Sequence, residues 1–241
     1  MEEVRRWIDF VYPPRCAVCE RFLHPGEGRG ICLDCMEGMK EVRSPLCVRC
    51  GVPFEAGTGE DRLCGRCLQE PPAYEAARSL LVYEGAALDA VHRFKYGGKT
   101  RLAEILGPGL AGLARSWLPV DLRPLVVPVP LHPRRLRERG FNQSLLLARH
   151  VADLPGFDLD YLSLRRSRHT PPQASLGRDR RRGNVQAAFD VEAPAAVEDR
   201  DILLVDDVST TGSTLEACSL ALRRAGARRV FGLTLARAPS P

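Results

Sequence analysis

Eight of the nine cysteines lie between positions 16 and 67, in four pairs of one spacing: Cys16 and Cys19, Cys32 and Cys35, Cys47 and Cys50, Cys64 and Cys67. Each pair is a CxxC, and 11 to 13 residues separate one pair from the next. Two thiols at this spacing occupy the ends of a tight knuckle and aim at one ion, and two knuckles complete a tetrahedral Cys₄ zinc site. Gly51, directly after Cys50, suits the turn that closes a knuckle. The simplest pairing puts Cys16, Cys19, Cys32 and Cys35 on one zinc and Cys47, Cys50, Cys64 and Cys67 on a second; an interleaved pairing stays open.

Disulfides are the competing reading, and they do not persist in a reducing compartment. A thioredoxin-like redox site needs one CxxC, not four. His24 sits between knuckles, but four thiolates per site already suffice. Four protein ligands leave no open coordination position, so both sites are expected to be structural. The segment has few large apolar groups and a thin core, whereas one structural zinc is worth about 10–16 kcal/mol.

Beyond the last pair, Leu68–Ala77 carries Pro71-Pro72 and reads as a connection. The expected division is a zinc-ribbon domain at 1–70, a linker at 71–78 and a second domain at 79–241. That second part alternates. Strands are expected at 79–83, 124–130, 158–166, 201–207 and 228–237. Helices are expected at 87–95, 101–118 (interrupted), 141–154 and 213–226. Such alternation implies helices on a mostly parallel sheet.

The strand Asp201-Ile-Leu-Leu-Val205 ends on Asp206 and Asp207, at the sheet edge where α/β proteins bind ligands. Ser209-Thr210-Thr211-Gly212-Ser213-Thr214 and a helix follow. Small residues let backbone N–H groups converge, hydroxyls add donors, and a helix N-terminus adds positive potential: together, a phosphate cradle. The acidic pair would repel that phosphate on contact, so it must face sugar hydroxyls or Mg²⁺. Phosphoribosyl diphosphate satisfies all of this, and the stretch resembles the motif of type I phosphoribosyltransferases. No GxxxxGK[ST] is present, which excludes a P-loop.

Positive charge is local. Residues 1–70 hold ten basic and twelve acidic side chains, a net of −2, while residues 134–182 hold twelve arginines and five acidic side chains, a net of +7. His132, Arg134 and Arg135 follow a strand at the same edge as the acidic pair and could hold a diphosphate. A second segment, 165–184, contains Arg178, Arg180, Arg181 and Arg182. It reads as a lid over a charged substrate, a nucleic-acid track, or a linker. Gly107-Pro108-Gly109-Leu110-Ala111-Gly112 fits GxGxxG but lies in a helical pattern, so no dinucleotide site is expected. The sequon at Asn142-Gln143-Ser144 is likewise set aside. No long apolar leader or spanning run appears, so the expectation is a cytoplasmic protein.

Over nearly its full length the chain resembles the ComF family of competence proteins. The resemblance rests on the four CxxC pairs, FKYGGK (94–99), VPVPLHPRRLRERGFNQS (127–144), RHTPPQASLGRDRRRGNVQAAF (168–189) and VDDVSTTGSTL (205–215). It implies an α/β fold: a type I phosphoribosyltransferase-like, mostly parallel sheet flanked by helices, preceded by a small Cys₄ double zinc-ribbon domain. It also implies that Asp206 and Asp207 contact ribose hydroxyls, that residues 209–214 hold the 5-phosphate, and that the loop at 131–135 holds diphosphate with Mg²⁺. The family is implicated in natural transformation, handling incoming single-stranded DNA beside a helicase-like partner.

Two functions compete. One is pentosyl transfer from phosphoribosyl diphosphate to an unidentified nitrogen acceptor, catalysed by positioning and electrostatics around Asp206, Asp207 and Lys95. The other is a non-catalytic single-stranded DNA-binding protein that keeps the transferase fold as a nucleotide-sensing module. Aromatic content of 6% argues against a base-stacking platform and for backbone contacts. A transcription regulator ranks last, since no helix-turn-helix is evident.

Overall fold

Ile202 to Val205 are buried on both sides of one strand, which places that strand inside a parallel sheet. The computed structural model describes residues 13–24, 30–54, 58–167 and 188–239. Its main sheet contains β1 (Ala76–Val82), β2 (Leu125–Pro128), β3 (Asp158–Leu159), β6 (Asp201–Ser209) and β7 (Arg229–Arg237). The order is β1-β7-β6-β2-β3, with every neighbouring pair parallel and β6 in the centre. A separate antiparallel pair joins β4 (Leu164–Arg166) to β5 (Phe189–Val191).

Period-2 alternation splits the core across this sheet. Leu203, Val205, Leu233 and Leu235 face α3 (Gly85–Tyr96), α4 (Arg101–Trp117) and α6 (Gln143–Ala152). Ile202, Leu204 and Val230 face the other way, toward α8 (Ser213–Arg224). The shorter helices are α1 (Leu33–Glu37), α2 (Gly65–Gln69), α5 (Pro133–Arg139) and α7 (Pro194–Val197). At the start of β6 the buried Asp201 carboxylate takes paired hydrogen bonds from Arg229 (2.9 and 2.8 Å) and Arg228 (3.0 and 2.5 Å). Those guanidiniums, Arg229 foremost, hold its carboxyl well below the usual range, against the effect of burial.

The cysteine-rich segment is built into both cores. Cys16, Val18, Ile31 and Cys32 pack with the residues of α3 and α4. Cys47, Cys50, Val52 and Cys67 pack on the opposite face with Leu204 and Leu215. The same segment covers the free edge of β1: Val82 N–H donates to Lys40 O (2.7 Å), Val42 N–H to Leu80 O (2.9 Å) and Ala77 N–H to Arg49 O (2.7 Å). An exposed edge strand invites pairing with another chain, and here it is occupied from within.

Four local readings change. The first strand begins at Ala76, three residues before the expected 79. The strand expected over 158–166 is two, because Asp160 Oδ1 accepts from Leu162 N (2.8 Å) and Ser163 N (3.0 Å) and turns the chain out of the sheet. The helix expected to be interrupted near Pro108 is continuous as α4. Pro108 and Glu104 are both exposed, so the carbonyl that loses its donor faces water. The Arg-rich stretch after β2 is helical from Pro133, with Pro at its first turn and His132 as its cap.

Candidate functional site

Asp206 and Asp207 are still within β6, so they point to opposite faces of the sheet. On one side Asp207 Oδ1 lies 2.9 Å from Lys95 Nζ, in the last turn of α3. Burial works against the Lys95 ammonium, but Asp207 outweighs it and raises the lysine's pKa. On the other side Asp206 Oδ1 accepts from Ser144 Oγ and from the Asp207 N–H, both at 2.9 Å. Burial, then the neighbouring Asp207 charge, pushes the Asp206 carboxyl up to about 7. The pair is thus held differently: Asp207 by a cation, Asp206 by neutral donors.

The strand runs on to Ser209, and the chain turns through Thr210, Thr211 and Gly212 into α8. Gly212 takes φ +78°, a left-handed conformation that a side chain disfavours. Thr210 and Thr211 are exposed, and Thr211 Oγ1 lies 2.7 Å from Ser213 Oγ. Ser213 and Thr214 open the first turn of α8, where the Ser213 N–H donates to Thr211 Oγ1 at 3.4 Å; the N-terminal end of a helix carries positive potential that favours an anion. Ser209 differs from its neighbours: it is buried, and its Oγ accepts from Arg237 Nη1 at 2.5 Å.

The segment after β2 comes to the same edge, because Val129 N–H bonds to Val205 O beside the acidic pair. His132 Nδ1 accepts from Arg134 N (3.2 Å), and Arg134 pairs with Glu138 (2.9 Å), so both serve α5 itself. Arg135 is half-buried and close enough to Arg166 that, after burial, its charge lowers the pKa of Arg166. Arg166 in turn feels Asp206. Arg178, Arg180, Arg181 and Arg182 lie outside the described residues.

Several site residues carried no usable signal in the sequence. Asn142, set aside as part of a sequon, caps α6 through Oδ1 and ties it to the residue just after β2 by donating to Val129 O (3.1 Å). That cap delivers Ser144 to Asp206. Arg166 and Arg237 are strand-end arginines whose neighbours follow only from register: Arg237 stands opposite Ser209 in the β6–β7 ladder.

The cysteines form two groups, Cys16, Cys19, Cys32 and Cys35, and Cys47, Cys50, Cys64 and Cys67, with all sulfurs of a group within 4.8 Å of one another. Tetrahedral zinc with bonds of about 2.3 Å separates its sulfurs by roughly 3.8 Å. Cys19 and Cys32 Sγ are 3.7 Å apart, and Cys50 and Cys64 Sγ 3.8 Å. Burial would raise the Cys16 thiol, yet N–H groups of Cys32, Cys19 and Val18 bring it down to about 6. In the second group burial likewise opposes Cys47, and the N–H groups of Cys50, Cys64 and Arg49 lower it to about 7. Burial and neighbouring sulfurs push Cys35 and Cys67 up. Four thiols so placed ionise together only around a cation, so the donor set fits zinc.

The fold and site define a class: a parallel α/β domain with an acidic pair and a small-residue loop leading into a helix at its carboxyl edge, joined to zinc-binding knuckles. The double zinc ribbon domain model matches residues 7–68. The chain is 34% identical to the DNA utilization protein YhgH of Escherichia coli strain K12, over 90% of this chain and 94% of that one. It is 30% identical to competence protein F of Haemophilus influenzae, over 93% and 97%. A hypoxanthine phosphoribosyltransferase structure from Staphylococcus aureus is also similar, at TM-score 0.35 and 18% identity, over 56% of this chain and 62% of that one. The chain belongs to the ComF family of competence proteins, and its two cysteine groups are the zinc sites of a double zinc ribbon. No helix among the described residues is long and apolar enough to cross a membrane.

Proposed function

We propose that this protein binds phosphoribosyl diphosphate with Mg²⁺ at the carboxyl edge of its sheet, and that it serves the use of imported DNA. One observation carries the binding: a buried acidic pair leads directly into a left-handed glycine and a helix N-terminus. Hydrogen-bond acceptors beside an anion cradle suit a ligand with a diol next to a phosphate. Thr210, Thr211, Gly212, Ser213 and Thr214 take the 5-phosphate through N–H and hydroxyl groups. Asp206 and Asp207 face the ribose, with Lys95 paired to Asp207 and holding it in place. Arg135 and the first turn of α5, in which it lies, take the diphosphate, whose charge a bound magnesium ion would neutralise. Transfer would break the C1–O bond, with diphosphate leaving on its electron pair, and form a C1–N bond to the acceptor. The protein's part in that step is orientation and charge stabilisation.

The link to DNA is supported by the names of the relatives, "DNA utilization" and "competence". On this reading the protein is cytoplasmic, and the arginines at 178 and 180–182 contact the backbone of a single strand, beside a helicase-like partner. The non-catalytic alternative keeps the ligand as a signal only. Calorimetric titration with phosphoribosyl diphosphate and Mg²⁺ tests the reading. The wild type should bind, and Asp206→Asn/Asp207→Asn should lose at least tenfold in affinity while staying folded. A folded wild type that takes up no heat and no ligand removes the reading and leaves DNA binding as the primary one.

A further inference from the structure

Arg237, the last residue of β7, is a buried cation between two sites. Its Nη1 donates to Ser209 Oγ at 2.5 Å, at the root of the anion-binding loop. Its Nη2 reaches Cys50 Sγ, a ligand atom of the second cysteine group, at 3.9 Å. Its Nε is buried without a partner. Among the described residues no carboxylate pairs with it, and a buried guanidinium requires a counter-charge. The second zinc centre supplies one: Zn²⁺ with four thiolates is anionic.

Two other contacts join the same surfaces. Arg66, on α2 of the second cysteine group, donates to the Thr211 carbonyl in the loop. Ala73 N–H donates to Glu216 Oε2 (2.9 Å) in the first turn of α8. A Cβ on Gly212 would sit 3.6 Å from Arg237 Nη1 and 3.5 Å from Tyr74 Oη, so both groups lie directly under the turn. The first cysteine group packs on the opposite face of the sheet.

We propose that the second zinc centre sets the shape of the anion-binding loop, with Arg237 as the positioning residue that joins Cys50 to Ser209. Emptying that centre strips Arg237 of its counter-charge and loosens Ser209, and by linkage an anion in the loop is felt at the zinc. Among the described residues the first centre has no such line to the loop. Only the anion-binding arm of this proposal rests on the function proposed above.

Hydrogen exchange on the zinc-loaded full chain tests the positioning without any ligand. Arg237→Met should keep two zinc ions and leave exchange at residues 16–24 unchanged. Amides at 209–214 should exchange about tenfold faster, the scale of one lost charge-assisted hydrogen bond. Arg237→Lys keeps the charge but cannot span both partners, and should fall between. Wild-type exchange at 209–214 in a folded variant overturns the proposal. If the Met variant does not fold, the Lys variant decides on the same criterion.

A second arm uses cobalt(II) in place of zinc. Ribose 5-phosphate should shift the sulfur-to-cobalt absorption of the wild type and leave that of Arg237→Lys unmoved. A wild type that binds ribose 5-phosphate with no spectral shift overturns the coupling. A wild type that does not bind it overturns the phosphate reading instead, and the exchange result still stands on its own.

Discussion

Asp206 shows what one carboxyl costs in this position. A free aspartate titrates near 3.9, and burial beside Asp207 moves Asp206 up to about 7. Between those values the folded protein binds more protons than the unfolded one, so this group's stabilisation is complete below about pH 4 and is lost as pH rises through 7. Asp206→Asn removes that loss while its Oδ1 still accepts from Ser144 and the Asp207 N–H. Urea unfolding should find the variant more stable than wild type at pH 8, by up to about 4 kcal/mol, and equal to it near pH 4. A variant weaker than wild type at both pH values contradicts this account of the site. The predicted gain at pH 8 would mean that Asp206 is kept at the expense of stability, as active groups commonly are. The identities of Asp206 and Asp207 were legible because an aliphatic run ending on acids has one place in a parallel sheet. Ser144 was not, because nothing local says where an N-cap will aim the residue two places on.

At the scale of elements, the second cysteine group docks on β1 through a position with no room for a side chain. Gly51 has φ +69°, and a Cβ there would lie 2.4 Å from the Ala77 carbonyl oxygen. That oxygen is backbone within a sheet and cannot step aside. Gly51→Ala should lower stability by about 2 kcal/mol or more, combining left-handed strain with the clash, read by thermal unfolding of the zinc-loaded protein. An unchanged transition would mean that the knuckle does not depend on this contact. The sequence placed Gly51 at a turn, which it is; its contact with β1 depends on tertiary docking. The same limit explains 158–166, where apolar alternation reads as one strand and the Asp160 side chain makes it two. It also explains α4, where Pro108 looks like a break until its exposed face is known.

For the whole molecule, the cysteine-rich segment and the sheet share their cores. Each face of the sheet is completed by one cysteine group. Removing zinc should therefore destabilise the sheet as well as the ribbon. A strong chelator is expected to lower the unfolding temperature of the whole chain in one cooperative step. Two separate transitions, with the upper one unmoved, would show the sheet to be independent of its zinc. The spacing of the cysteines made the zinc sites legible in advance. Their burial against opposite faces was not, because packing partners at that range leave no periodic trace in a single chain.

The central claim is that the acidic pair and the loop after it form one binding site, and hydrogen exchange with phosphoribosyl diphosphate and Mg²⁺ bears on it most directly. The account predicts slowed exchange at residues 206–214 and in the first turn of α8, centred on Gly212. Protection confined to other surfaces, or none at all under saturating ligand, would contradict it.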